Sequence, residues 1–101
     1  MPSLRGYLPS QVLDRAALPR SAPDERMLAG VLFSGLPMKV RLFIDAAGSV
    51  VDVEILQADE DAEALQQLRR MFIATLFIAG RHQGADVASY KDVELSPGEP
   101  K

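Results

Sequence analysis

Residues 39–58 read KVRLFIDAAGSVVDVEILQA and have the pattern of a β-hairpin. Apolar and polar residues alternate on both sides of the centre, which is the two-residue period of strands that bury one face. Asp45 opens the connection and Gly48, the residue best able to adopt a positive φ, closes it. The pattern therefore predicts strands over 38–45 and 50–58, joined by a type I turn that ends in a left-handed glycine.

The segment after the hairpin changes to a helical period. Its apolar stripe is formed by Leu65, Leu68, Phe72 and Leu76. Asp59 or Asp61 is placed to cap the N-terminus, and acidic residues at that end interact favourably with the helix dipole. We expect a helix near 61–77 that packs one face on the hairpin, with Gly80 as its C-terminal stop.

Residues 85–95 form the last predicted strand. Their alternation is weak, so either a bulge or a strand with two apolar faces is compatible with the pattern. The order of strand, turn, strand, helix and strand predicts an α+β fold: a small antiparallel three-stranded sheet with one main helix packed on one face.

The two ends of the chain differ in composition from this central part. Prolines 2, 9, 19 and 23 lie among serines and Gly6, which is typical of a lead-in or tether, so we expect a linker over 1–24. Residues 24–35, DERMLAGVLFSG, suit either a short helix or an extended strand. The predicted domain spans 25–96, and a disordered tail follows over 97–101.

Composition excludes several function classes. The chain has 101 residues, one histidine, no cysteine and a net charge of −3. Thiol catalysis and cysteine-based zinc sites are therefore impossible, and the charge argues against a nucleic-acid surface. No run approaches the roughly 20 apolar residues that cross a bilayer.

The residues that could take part in catalysis or metal binding are better explained by structural roles. The acidic group Asp59, Glu60, Asp61 and Glu63 suits a helix start, and His82 lies in a predicted polar loop without partners for catalysis or metal binding. Ser34 and Ser89 lack the context of a nucleophile. The basic residues Arg69, Arg70, Arg81 and Lys91 form at most a modest strip. The sequence thus predicts no catalytic residue, no metal site and no cofactor.

Residues 35–95 resemble the C-terminal domain of the TonB energy-transducer family. The resemblance rests on Gly35 before the first strand, on 43–45 and Gly48 at the turn, on 69–72 and Phe77 around the helix end, and on Gly80 and Gly84 before the last strand. The chain departs from the family pattern in its N-terminal third and at 78–79, where the family commonly has a proline.

This resemblance implies a periplasmic module without a cofactor. Its partner would be a short peptide of an outer-membrane receptor, and it would transmit force for energy-coupled transport from an inner-membrane motor. The resemblance also implies an inner-membrane anchor upstream of this sequence.

The last strand is the predicted interaction site because an unpaired sheet edge must be covered, charged or used. An extended peptide that adds as a further strand would contact Val87, Ala88, Ser89, Tyr90, Lys91, Asp92 and Val93. Two alternatives stay open: this edge packs on the N-terminal segment, or it pairs with a second copy in a homodimer of a structural or adaptor protein.

Overall fold

The computed structural model describes residues 6–96 and has α+β architecture. Its main sheet has four strands in the order β1-β8-β3-β4, and two small two-stranded sheets, β2-β5 and β6-β7, lie beside it. The strands are β1 (Leu8–Pro9), β2 (Leu18–Pro19), β3 (Met38–Ile44), β4 (Val50–Gln57), β5 (Phe77–Ile78), β6 (Gly80–His82), β7 (Ala85–Val87) and β8 (Ser89–Leu95). One α-helix, α1 (Ala62–Ile73), is present in the described part, with 3-10 helices at Ser10–Val12 and Glu25–Leu28. The predicted tail over 97–101 lies outside the described residues.

The predicted hairpin is confirmed as β3 and β4, which pair antiparallel. Asp45 N–H donates to the Ser49 C=O at 2.9 Å, and Gly48 N–H donates to the Asp45 C=O at 3.0 Å. One carboxylate oxygen of Asp45 also accepts from the N–H groups of Ala47 and Ser49. Gly48 has φ +91°, and a Cβ there would lie 2.0 Å from the Phe77 carbonyl oxygen. The turn therefore requires glycine for its conformation and for its close contact.

The helix begins as predicted and ends earlier than predicted. Asp61 rather than Asp59 is the cap, because its carboxylate accepts from Ala64 N–H at 2.8 Å. The expected continuation to residue 77 is wrong: α1 ends at Ile73, and Phe77 begins strand β5, which pairs with β2. Leu76 consequently leaves the apolar stripe and is 58% exposed.

The core lies between α1 and one face of the main sheet. Sheet and helix residues of this cluster are buried together: Met38, Val40, Leu42, Ile44, Val50 and Val53 from the sheet, with Leu68, Met71 and Phe72 from the helix. The predicted packing of the helix on the hairpin is thus confirmed.

The prediction of a three-stranded antiparallel sheet needs correction. A fourth strand, β1, pairs in parallel with β8, so the sheet is mixed. The sequence around β1 contains prolines and too few alternating residues to indicate a strand, because a two-residue strand has no periodicity.

The expected continuous strand over 85–95 is also divided. Its first residues form β7, which pairs with β6 in a hairpin, and the chain then passes through Ala88 into β8. Gly84 and Gln83 at the hairpin turn have positive φ. The first part of the predicted strand therefore belongs to the β6-β7 hairpin and not to the main sheet.

Residues 8–19, which the sequence suggested as part of a linker, are packed into the fold. Ala17 is fully buried in the core. The backbone of Arg15 forms hydrogen bonds in both directions with that of Arg81, at 3.3 and 2.8 Å. Further along, Asp24 caps the 3-10 helix Glu25–Leu28, which resolves the choice between helix and strand left open there.

Candidate functional site

The predicted partner-binding residues fall on two elements. Val87 ends β7, Ala88 lies at the break, and the residues from Ser89 to Val93 belong to β8. Since β7 pairs with β6, only β8 lies next to β3 in the main sheet. The candidate site is therefore the outer edge of β8, and its two halves differ.

The first half of this edge is covered by β1. Leu8 N–H donates to the Ala88 C=O at 3.1 Å, and the parallel register sets Pro9 opposite Tyr90. The Ser10 hydroxyl donates to the Tyr90 C=O at 2.9 Å. This part of β8 has no free edge while β1 is in place.

The second half of the edge has outward-facing backbone groups. In an antiparallel ladder, successive residues direct their N–H and C=O groups to alternate sides. Since the Tyr90 C=O faces away from β3, the backbone groups of Asp92 and Glu94 do the same. Between residues 6 and 96, β3 on the opposite side is the only strand that pairs with this part of β8. No described strand therefore uses the four outward-facing hydrogen-bonding groups of Asp92 and Glu94.

Side chains along a strand alternate between the two faces of the sheet, so some of the predicted partner-binding residues face the interior. Residues opposite each other on neighbouring strands share a face, and Lys91 and Ser89 lie opposite the core residues Leu42 and Ile44. Ser89 is 0% exposed, so it cannot contact a partner. The Lys91 amino group donates to the Ala17 C=O at 2.9 Å and holds the N-terminal segment.

The solvent-side face next to the edge carries aromatic rings. Phe43 packs between Tyr7, at 5.8 Å between ring centroids, and Tyr90, at 5.7 Å. The Arg41 guanidinium lies 4.7 Å from the centre of the Tyr90 ring, a cation-π geometry. The Tyr90 ring is therefore held beside the edge by Phe43 and Arg41.

An ion pair fixes the first residue of the open half. Arg41 donates from Nε and Nη2 to the two carboxylate oxygens of Asp92, at 2.7 and 3.1 Å. The hydrogen bond from Arg41 holds the pKa of Asp92 below its usual range. Because both side chains are about a third to a half exposed, the pair stabilises the fold only weakly and mainly orients the side chain.

An open pocket of about 330 Å³ lies at the junction of the two halves. One wall comes from Ser10, Gln11 and Ala16 of the N-terminal segment, and the other comes from Arg41 and residues 90–92 of β8. This pocket is large enough for a side chain of a bound segment.

The opposite edge of the sheet, β4, is protected by side chains. Asp52 accepts from Val53 N–H at 2.8 Å, and Arg69 of α1 donates to the Val53 C=O and to Asp52. Two register shifts leave Val51 and Leu56 as extra residues on β4. Such bulges and bound side chains are typical of edges that avoid pairing.

Among the other residues considered from the sequence, Glu60 and Asp61 have structural partners. Glu60 accepts from the N–H and hydroxyl of Ser34, and Asp61 caps α1. His82 lies in the β6-β7 hairpin and is half-buried, and its buried Nδ1 has no hydrogen-bond partner among residues 6–96. Within residues 6–96, no three His, Asp or Glu side chains come together as metal ligands would.

Most of the predicted basic strip is engaged with acidic or carbonyl groups. Arg69 pairs with Asp52 at 3.1 Å, Arg81 pairs with Asp86 at 3.3 Å, and Lys91 binds a carbonyl oxygen. These residues lie on different elements, so the structure does not bring them together as one surface.

Comparisons with known proteins add no relative: no protein-family model, curated protein or solved structure matches this chain. In the part of the chain that the structure describes, α1 is too short and too polar to span a bilayer, and no other helix is longer. The site is therefore interpreted from its own geometry.

Proposed function

We propose that this protein is a binding module that accepts an extended segment of another protein by strand addition at the β8 edge. The observation that carries the proposal is the outward-facing backbone of Asp92 and Glu94, which pairs with no described residue. Each main-chain hydrogen bond contributes about 0.5–1.5 kcal/mol net, and side chains of alternate residues supply the selectivity.

The pocket beside the open edge supports this proposal. A segment paired with Asp92 would direct alternate side chains to the two faces of the sheet, and the pocket adjoins that residue. Its walls include the Tyr90 ring and the Arg41 guanidinium, which provide an apolar surface and hydrogen-bond donors.

The proposed partner is a peptide of an outer-membrane receptor. The support is the resemblance of residues 35–95 to the TonB C-terminal domain, together with the hairpin, helix and closing strand in the order which that resemblance implies. On this proposal the protein acts in the periplasm, is held at the inner membrane by an upstream segment, and couples energy to transport.

An NMR titration with a receptor-derived peptide from the same organism tests the proposal. Backbone amide shifts are expected in residues 90–95, with none along β4. Glu94→Pro removes an N–H that faces away from β3, so it should weaken binding, whereas Glu94→Ala keeps that N–H and should bind as the unmodified chain does. Shifts scattered over α1, or none at millimolar peptide, would contradict the proposal.

A self-associating domain of the cell envelope is the second candidate function. The free edge groups of Asp92 and Glu94 are self-complementary, so two copies related by a two-fold axis could pair their β8 strands. Sedimentation at several concentrations separates the two functions, because a monomer at all concentrations argues for the peptide-binding module.

The proposal assigns no catalytic role. His82 lies on the β6-β7 hairpin, outside the β8 edge. His82→Ala is expected to leave peptide binding unchanged, and loss of a measured turnover in this variant would overturn the assignment.

A further inference from the structure

We infer that residues 6–12 act as an internal competitor for the partner edge, holding the first half of β8 until a longer strand displaces them. We call these residues the latch. This inference rests on the proposed strand-addition function, and it concerns how binding at that edge is regulated.

The N-terminal segment is held in two different ways. Beyond the latch, residues 13–19 are fixed: Ala17 is fully buried, and the Arg15 guanidinium donates to the Ala79 C=O at 2.8 Å. Strand β2 in the same stretch pairs with β5. We call residues 13–19 the anchor, because core burial, side-chain bonds and backbone bonds all hold it.

The latch has fewer and more peripheral contacts. None of its residues is buried, and Val12 is 50% exposed. It is held by the Leu8 N–H on the Ala88 C=O, by the Ser10 hydroxyl, and by the edge of the Tyr7 ring on Phe43. The pairing stops after two residues because the chain enters the 3-10 helix Ser10–Val12 there. Such a segment can open locally while the anchor and the core stay folded.

A partner strand and the latch require the same atoms. Pairing at Asp92 and Glu94 alone uses four backbone groups, and the next outward-facing groups along β8 are the N–H and C=O of Tyr90. The parallel register directs the Tyr90 N–H to Leu8, and Ser10 binds the Tyr90 C=O. A strand that extends beyond Asp92 must therefore replace the latch.

The anchor keeps a displaced latch close to its site. A short tether maintains a high local concentration, on the order of millimolar, so the latch continues to compete with a bound partner. The latch also indicates which chemistry the covered half accepts: an aromatic ring beside Phe43, an N–H for the Ala88 C=O and a hydroxyl for the Tyr90 C=O.

The test compares Leu8→Pro with Leu8→Ala in the full chain. Leu8→Pro removes the N–H that pairs with Ala88, whereas Leu8→Ala retains it and serves as the matched control. Hydrogen exchange of the Tyr90 amide should accelerate by about tenfold or more in Leu8→Pro relative to Leu8→Ala, while the Leu42 amide stays protected. Equal Tyr90 protection in the two variants would overturn the inference.

The second readout uses the latch itself as the probe. A synthetic peptide of residues 6–12, Gly-Tyr-Leu-Pro-Ser-Gln-Val, is titrated into each protein. Binding to Leu8→Pro that restores the Tyr90 protection, with at least about tenfold weaker binding to the unmodified chain, is the expected result. Equal affinity for both proteins, or no binding to Leu8→Pro, would contradict it.

If the Leu42 amide shows that Leu8→Pro is unfolded, Tyr7→Ala replaces it, because this change removes a latch contact without altering the backbone. The same peptide should then bind Tyr7→Ala more tightly than it binds the unmodified chain, and equal binding would overturn the inference. The probe comes from this chain and not from a receptor. A failed receptor titration with successful latch displacement therefore counts against the proposed partner only, and the reverse result counts against the latch only.

Discussion

The two edges of the main sheet, β4 on one side and β8 with the short β1 on the other, are protected in different ways. At β4, Val53 has both backbone groups bound by side chains of Asp52 and Arg69, which belong to the strand itself and to the helix on the core face. At β8, the Tyr90 groups are covered by a peripheral segment from the other end of the chain, and those of Asp92 pair with no strand among residues 6–96.

This difference indicates which edge is available for binding. The protection of β4 comes from side chains of elements that also form the core, so it cannot move away as a segment while the fold stays intact. The protection of β8 comes from a short parallel strand whose residues lie outside the buried core. Both edges avoid indiscriminate pairing, and we expect only the protection of β8 to open while the core stays folded.

Phe72→Ala should cause the largest loss of stability, because both edges of the sheet depend on the core that Phe72 helps to form. The ring is 5% exposed and packs in the core on the helix that also carries Arg69. Loss of a buried phenylalanine costs roughly 3–5 kcal/mol, a large part of the stability of a small domain. Denaturant unfolding measures the loss, and a change below about 1 kcal/mol would show that Phe72 is not a core residue.

Gly48→Ala should have the second-largest effect, at the turn that leads into β4. Alanine at φ +91° is strained by about 1–3 kcal/mol, and its Cβ would clash with the Phe77 backbone. Gly84→Ala is the matched control, since that glycine has a similar φ of +80° but no atom near the added Cβ. Thermal unfolding should give a lower midpoint for Gly48→Ala than for Gly84→Ala, and equal midpoints would show that the Phe77 contact is unimportant.

Arg69→Ala should leave part of the β4 edge without its protecting side chain, as the second half of the β8 edge is. The Val53 C=O loses its donor, while the Arg69–Asp52 pair is partly exposed and contributes only about 0–1 kcal/mol to stability. We therefore expect little change in unfolding but more self-association at high concentration, measured by sedimentation.

Arg70→Ala is the control for this change. It lies next to Arg69 on α1 and is exposed, and its side chain donates to the Gln67 side-chain oxygen at 3.4 Å. If both variants associate equally, the side-chain protection of β4 is not what keeps that edge unpaired.

The smallest expected effect is on the titration of Asp92 at the β8 edge. Its pKa is lowered mainly by the hydrogen bond from Arg41 and only to a lesser degree by the charge of Lys39. A carboxyl with a depressed pKa in the folded state stabilises the protein fully above its unfolded-state pKa. This contribution is lost as the pH falls through the folded-state pKa.

An NMR titration of the Asp92 carboxyl measures this directly. Arg41→Gln should raise its pKa more than Lys39→Gln does, and the weak acid-side loss of stability should disappear in Arg41→Gln. An identical pKa in the two variants would show that the Arg41 ion pair does not orient Asp92.

The hairpin and the helix start could be predicted because their determinants are local. Asp45 and Gly48 encode the turn within five residues, and Asp61 caps a helix whose apolar spacing is visible in the sequence. The helix end could not be predicted, because Phe77 leaves the helical pattern to pair with β2, about 60 residues earlier in the chain.

The site was only partly predictable for the same reason. The choice of the last strand follows from topology, but its coverage depends on a contact between Ser10 and Tyr90, which are 80 residues apart. The sequence leaves packing of the N-terminal segment on this edge open as one alternative, but nothing local in a proline-bearing lead-in selects it. The side-chain protection of Val53 by Arg69 likewise depends on how α1 lies over β4.

The measurement that tests the account most directly is residue-resolved hydrogen exchange of the unmodified chain in the absence of partners. After correction for intrinsic exchange rates, we expect the Asp92 and Glu94 amides to exchange fastest in the main sheet. We also expect the Val53 amide, held by Asp52, and the Tyr90 amide, covered by β1, to be clearly slower. Exchange at Val53 as fast as at Asp92, or protection at Asp92 equal to that at Tyr90, would contradict the distinction between the two edges.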